Sequence, residues 1–78
     1  MQLLYSYKTR RGTVYIRFNA TTNRYHVLLD DDDLGDNHTP HGAVDDVANG
    51  HTFSPSNGVD TSTLGIPDDL GEWVRHFR

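Results

Sequence analysis

Apolar and polar residues alternate through most of the first thirty positions. Leu3, Tyr5 and Tyr7 fall on one parity, and Leu4, Ser6, Lys8 and Arg10 on the other. A period of two marks a strand with one buried face, and tyrosine is a good strand former. Arg11-Gly12 supplies a turn. From Thr13 to Phe18 the alternation is strict: Val14, Ile16 and Phe18 face one way, Thr13, Tyr15 and Arg17 the other. Asn19 to Asn23 is polar and rich in turn formers. Arg24 to Asp30 reads as a third strand, with Tyr25, Val27 and Leu29 inward and Arg24, His26 and Leu28 outward. Short connections between consecutive strands predict an antiparallel meander over residues 3–30.

The pattern then changes. Asp30 to Asp33 sets four carboxylates side by side, and these belong at the surface because none can be buried unpaired. Leu34-Gly35 follows as a short extended or turn element. Thr39-Pro40 marks a helix start: the threonine hydroxyl can cap a free N–H, and proline fits the first helical position. Ala43, Val44, Val47 and Ala48 make one apolar stripe, while Asp45, Asp46 and Asn49 face away. Gly50 is the left-handed stop. The helix is therefore predicted over 39–49. Gly42 runs against it, costing about 1 kcal/mol relative to alanine. So small a stripe needs a sheet to dock on.

Residues 50–67 are rich in Ser, Thr, Asn, Gly and Pro, but Phe53, Val59, Leu64 and Ile66 punctuate them. That spacing predicts an ordered loop pinned across the core by those four side chains. In 68–78, Leu70 and Trp73 lie three apart behind Pro67 and two aspartates, which predicts a short helical turn followed by a tail. The expected architecture is α+β. A three-stranded antiparallel meander packs on one helix, and a long ordered C-terminal loop and a short terminal helical turn close it. All of it lies in a single domain spanning 1–78.

Composition narrows the possibilities. With 78 residues there is material for one hydrophobic core. The absence of cysteine excludes a disulfide framework and a cysteine zinc site. Apolar runs reach two or three residues, as in Val27-Leu28-Leu29. A membrane span needs roughly 20 and a signal sequence about 7, so neither is expected and the location expected is cytoplasmic. The net charge of −4 conceals a division. Residues 1–29 carry five Lys or Arg and no acid; residues 30–72 carry all eleven acids and no Lys or Arg.

Each chemical motif meets a bland alternative. Placing Gly35 at the sixth position of a calcium loop puts Leu34 at the fifth and His41 at the twelfth, where oxygen ligands are required. The run therefore reads as a solvated acidic turn. His38, His41 and His51 could approach Asp45 or Asp46, but no second paired motif completes a zinc site, so no metal is expected. No nucleophile elbow and no glycine-rich phosphate loop occurs. No enzymatic activity and no cofactor are expected.

The outward positions of the meander are the best lead. Tyr15, Arg17, Arg24 and His26 share the face away from the helix, and Lys8 and Arg10 are expected to join them. Such a surface suits another protein. It also suits nucleic acid, whose phosphates attract cations and whose bases stack on aromatics. The expected function is a protein-interaction module using this basic face or the 50–67 loop, with nucleic-acid binding by the same face as the alternative. No membrane partner is expected. The chain is expected to be a monomer, or a homodimer paired through the edge of the first strand, which no proline guards.

The stretch Gly50-His51-Thr52-Phe53-Ser54-Pro55-Ser56, continued by Gly65-Ile66-Pro67-Asp68-Asp69-Leu70, resembles the tail of a group of small bacterial proteins. In those a helix similar to Thr39-Pro40 through Ala48 precedes the Gly-His-Thr-Phe segment. The resemblance covers residues 13–73. It implies a bacterial, cytoplasmic, stand-alone domain, and it carries no activity, cofactor or catalytic residue.

Overall fold

The computed structural model describes residues 1–77. Its first three strands are β1 (Gln2–Thr9), β2 (Gly12–Asn19) and β3 (Arg24–Leu29). The meander continues into β4 (Asp32–Asn37), and the chain then enters the helix α1 (Pro40–Ala48). Two short 3-10 helices follow, Thr61–Thr63 and Leu70–Glu72, before β5 (Val74–Arg75). Among the described residues the sheet has five antiparallel strands in the order β4-β3-β2-β1-β5. The α+β class agrees with the sequence reading. The three-stranded sheet does not: an edge strand is added on each side.

The register follows the alternation. Val14 pairs with Leu29 and Ile16 with Val27, so the inward residues of β2 and β3 stack in rows. Tyr5 and Tyr7 lie opposite Ile16 and Val14 and join the same face. The helix packs on that face, with Ala43, Val44 and Val47 fully buried. Leu34, Leu64, Ile66, Leu70 and Trp73 complete the core. Trp73 donates its indole N–H to the Pro67 carbonyl at 2.9 Å, so its polar atom is satisfied while its rings stay buried.

The helix boundaries obey local chemistry. Thr39 is extended, and its hydroxyl accepts the Gly42 N–H at 2.9 Å. At the far end the His51 N–H reaches the Asp46 carbonyl at 2.8 Å while Gly50 stands at φ 74. That is the Schellman closure, which a left-handed glycine allows.

β4 overturns the reading of the acidic run as a bare turn. Asp30 and Asp31 alone make the hairpin connection, with Asp30 at φ 52. Asp30 also receives the Thr13 N–H at 3.1 Å. From Asp32 the chain is extended. Leu34 turns inward and is 1% exposed, and Gly35 at φ +121 accommodates the register shift opposite Val27. A bulge there needs a residue that tolerates positive φ. The acids survive in a strand because the strand is an edge and each finds a donor: Asp32 accepts the Ser56 N–H at 2.6 Å.

The last segment also differs from expectation. The helical turn of 68–78 shrinks to Leu70–Glu72, and Val74–Arg75 pairs with Tyr5–Ser6 as β5. The His76 N–H donates to the Leu4 carbonyl at 2.8 Å. The edge of β1 is thus occupied along this stretch. In the 50–67 loop, Leu64 and Ile66 are buried and Val59 packs on the core as expected, but Phe53 is 74% exposed. Its backbone N–H, not its ring, fixes it, donating to the Leu34 carbonyl at 3.0 Å.

Candidate functional site

The helix and the 50–73 segment cover one face of the sheet. The other face is lined by register with Ser6 and Lys8 from β1, Thr13, Tyr15 and Arg17 from β2, and Arg24, His26 and Leu28 from β3. β4 adds Asp33, opposite Leu28, and Asp36, opposite His26. These two acids decide the character of the surface.

Arg24 points its guanidinium at Asp36, with Nε and Nη2 at 2.8 and 2.7 Å from the same carboxylate oxygen. Its Nη1 lies 2.7 Å from Nδ1 of His38. His26 Nδ1 lies 2.8 Å from Asp33 Oδ2. Its Nε2 is buried without a hydrogen-bond partner and faces Asp36 Oδ2 at 4.0 Å. A carboxylate on Nδ1 can orient an imidazole base for a nucleophile on the other nitrogen. Here the other nitrogen faces a second carboxylate, and no hydroxyl completes the arrangement among the described residues. Arg24, His26, Asp33 and Asp36 are thus engaged in holding β4 to β3.

The centre of the face has a different composition. Tyr15 is half-buried, and the Arg17 guanidinium carbon sits 5.2 Å from its ring centroid, within cation–π range. Leu28, directly across from Tyr15, is 9% exposed. Lys8 is exposed at the far side. Among the described residues neither Lys8 nor Arg17 has a carboxylate partner.

The structure therefore brings together Lys8, Tyr15, Arg17, Arg24 and His26, and separates Arg10. Arg10 lies in the β1–β2 turn and donates to the Thr63 carbonyl at 3.1 Å, on the segment that covers the opposite face. A turn residue has no fixed parity, so the alternation of β1 stops at Thr9 and does not extend to Arg10. Asp33 and Asp36 were missed as members of this surface. The signal lay in Arg24 needing a counter-charge and His26 a hydrogen-bond partner, but nothing local said which carboxylates would supply them.

A second feature lies at the outer edge of β4. A cleft of about 370 Å³ opens between β4, α1 and the loop, with Gly35, Asp46, His51 and Phe53 at its walls. The exposed Phe53 ring stands over Gly35. Among the described residues no cluster of three or more His, Asp or Glu side chains has the geometry of a metal site.

The fold and the face together define a small α+β domain with one uncovered antiparallel sheet surface of mixed charge. No family model, no curated protein and no solved structure matches the chain. Among the described residues no helix is long and apolar enough to cross a membrane.

Proposed function

We propose that the chain is a non-catalytic, cytoplasmic protein-interaction domain whose recognition surface is the outer sheet face around Tyr15, Arg17 and Leu28. One observation carries this reading. The uncovered face has a half-buried aromatic–cation pair and an aliphatic side chain at its centre, with the Arg24–Asp36 ion pair and the His26–Asp33 hydrogen bond along one side. Tyrosine and arginine dominate interface hot spots because they bury large areas while keeping directional contacts. The same observation weakens the nucleic-acid alternative. Asp33 and Asp36 lie on this face and engage His26 and Arg24, which leaves Lys8 and Arg17 to meet phosphates. The exposed Phe53 ring favours a second reading, in which the 50–67 loop makes the contact.

Capture on the immobilised native chain, compared with Arg17→Glu and Phe53→Ala, separates the readings. The expected result is a protein retained by native and Phe53→Ala chains and lost from Arg17→Glu. Loss confined to Phe53→Ala moves the site to the loop. Equal retention on all three overturns the sheet-face reading. Fluorescence anisotropy with single- and double-stranded oligonucleotides supplies the other arm. Micromolar binding that falls steeply with salt would replace the proposal with nucleic-acid recognition.

A further inference from the structure

We infer that the outer sheet face is self-complementary, and that its occupant is a second copy of this chain packed face to face about a two-fold axis parallel to the strands. The inference rests on the outer face being the interaction surface. Its ground is the banding of charge across the sheet. Asp33 and Asp36 lie on β4 at one side, and Lys8 and Arg17, without a carboxylate partner among the described residues, lie on β1 and β2 toward the other. Leu28 and Tyr15 sit between these bands at one level, as direct cross-strand partners.

A two-fold axis along the strands, running between β2 and β3, reverses the strand order and keeps each level. It lays β4 of one copy over β1 of the other, and β3 over β2. Tyr15 then meets the partner's Leu28. Arg17 meets the partner's His26, which Asp33 and Asp36 flank at 2.8 and 4.0 Å. Lys8 comes over the acidic edge. An axis across the strands would instead set β4 on β4, carboxylates against carboxylates. Isologous pairing demands that one patch match itself, and of these two axes only the first satisfies the charges.

The same face argues against other occupants. Its own carboxylates repel a phosphate backbone, and a partner of a single charge sign would match one band and oppose the other. The size of the face sets the strength. The five strands hold 8, 8, 6, 6 and 2 residues in the order β1 to β5, and at ~4.8 Å between strands and ~3.3 Å per residue they cover roughly 500 Å² in plan. The molecule's 29 × 23 × 18 Å extents are consistent with that area. Stable interfaces bury about 600 Å² or more per partner, so the expected dimer is weak, micromolar or above, and salt-sensitive.

Sedimentation equilibrium of the full chain from micromolar to millimolar concentration tests this. The native chain is expected to show a monomer–dimer equilibrium that shifts toward monomer as salt is added. Arg17→Glu and Asp36→Lys each create like-charge contacts at both symmetric positions, and each is expected to weaken self-association at least about tenfold. An equimolar mixture of the two variants pairs Glu with Lys at one position and native Arg17 with native Asp36 at the other. Dimer should return in the mixture. Lys8→Glu is exposed and free of side-chain partners among the described residues, so it provides a further weakening variant should Asp36→Lys fail to fold.

A native chain that stays monomeric at millimolar concentration overturns the inference. So does dimer formation that neither Arg17→Glu nor Lys8→Glu weakens, or a mixture of folded variants that stays monomeric. A monomeric native chain whose captured partner is still lost on Arg17→Glu would sink the dimer while leaving the interaction face standing.

Discussion

Gly42 shows how one residue can look wrong in the sequence and be required in the structure. Its first-turn position costs helix propensity, and replacing it by alanine should gain about 1 kcal/mol on that ground alone. In the fold a methyl group there would overlap the Asn37 side chain, which bridges to Asp46 at 3.0 Å. Displacing Asn37 breaks that bridge. Gly42→Ala is therefore expected to lower stability by about 1 kcal/mol, read from urea unfolding, where propensity predicts an increase. Thr61 presents the opposite case. It is 2% exposed, and its hydroxyl has no hydrogen-bond partner among the described residues. Thr61→Val keeps the shape and removes an unsatisfied polar atom, so a stabilisation of about 1 kcal/mol is expected in the same measurement. Asp60 caps the 3-10 helix that begins at Thr61. Hydrogen bonds from the Ser62 hydroxyl and backbone N–H hold its carboxyl below the ordinary value. A lowered folded-state pKa contributes stability above the ordinary carboxylate range, and that contribution is lost as pH falls through the folded value. The melting temperatures of native and Asp60→Ala chains should differ at neutral pH and converge in acid. A constant difference across the titration would remove the ionised cap as its cause.

Among the elements, β4 is the one on which the fold and the candidate site both depend. Its sequence, Asp-Asp-Leu-Gly-Asp-Asn, has weak strand propensity, and one inward apolar residue cannot establish a period of two. What makes it a strand is its neighbours. β3 supplies the ladder, Arg24 for Asp36 and the His26 ring nitrogen for Asp33, α1 covers Leu34, and the loop contributes the Ser56 N–H to Asp32. Asp32→Ala is accordingly expected to loosen residues 51–58 while leaving β2 and β3 intact. Hydrogen exchange should show faster amides in that loop and unchanged protection in the central strands. Uniform loss of protection would mean that the loop is not held locally. The helix differs from β4 in being legible from the sequence. Thr39, Pro40 and Gly50 act within one turn of their own positions, so the sequence shows the caps directly. β5 was not legible, because two residues carry no period and their strand character exists only in pairing with Tyr5 and Ser6.

At the scale of the whole molecule, one face of the sheet carries the core and the other is uncovered. Trp73 is 5% exposed, packs 5.7 Å from Tyr7 and joins the last segment to the core. Trp73→Ala should cost about 3–5 kcal/mol, against a total of roughly 4–12 kcal/mol for a chain of this size. Arg17→Glu removes one cation–π contact on the open face and should cost less than about 1 kcal/mol. Parallel thermal melts check this difference. A large loss in Arg17→Glu would mark the outer face as structural and weaken its assignment to binding. The charge division of the sequence takes a new form at this scale. The basic meander and the acidic stretch do not form two opposed poles, because β4 folds back beside β3 and carries acids onto the basic face.

The sequence by itself determined the features that local rules govern. These are the parity of β2 and β3, the helix with its caps, the inward course of Leu64, Ile66, Leu70 and Trp73, and Tyr15 and Arg17 on the outer face. Each follows from side-chain spacing or from a hydrogen bond spanning a few residues. Only the tertiary structure decided the two edge strands, the pairing of Arg24 and His26 with Asp36 and Asp33, the departure of Arg10 and the exposure of Phe53. These depend on groups brought together from distant parts of the chain. The Coulomb and hydrogen-bond terms that favour them act over a few ångströms in space, and the one-dimensional pattern does not record which distant residues come that close.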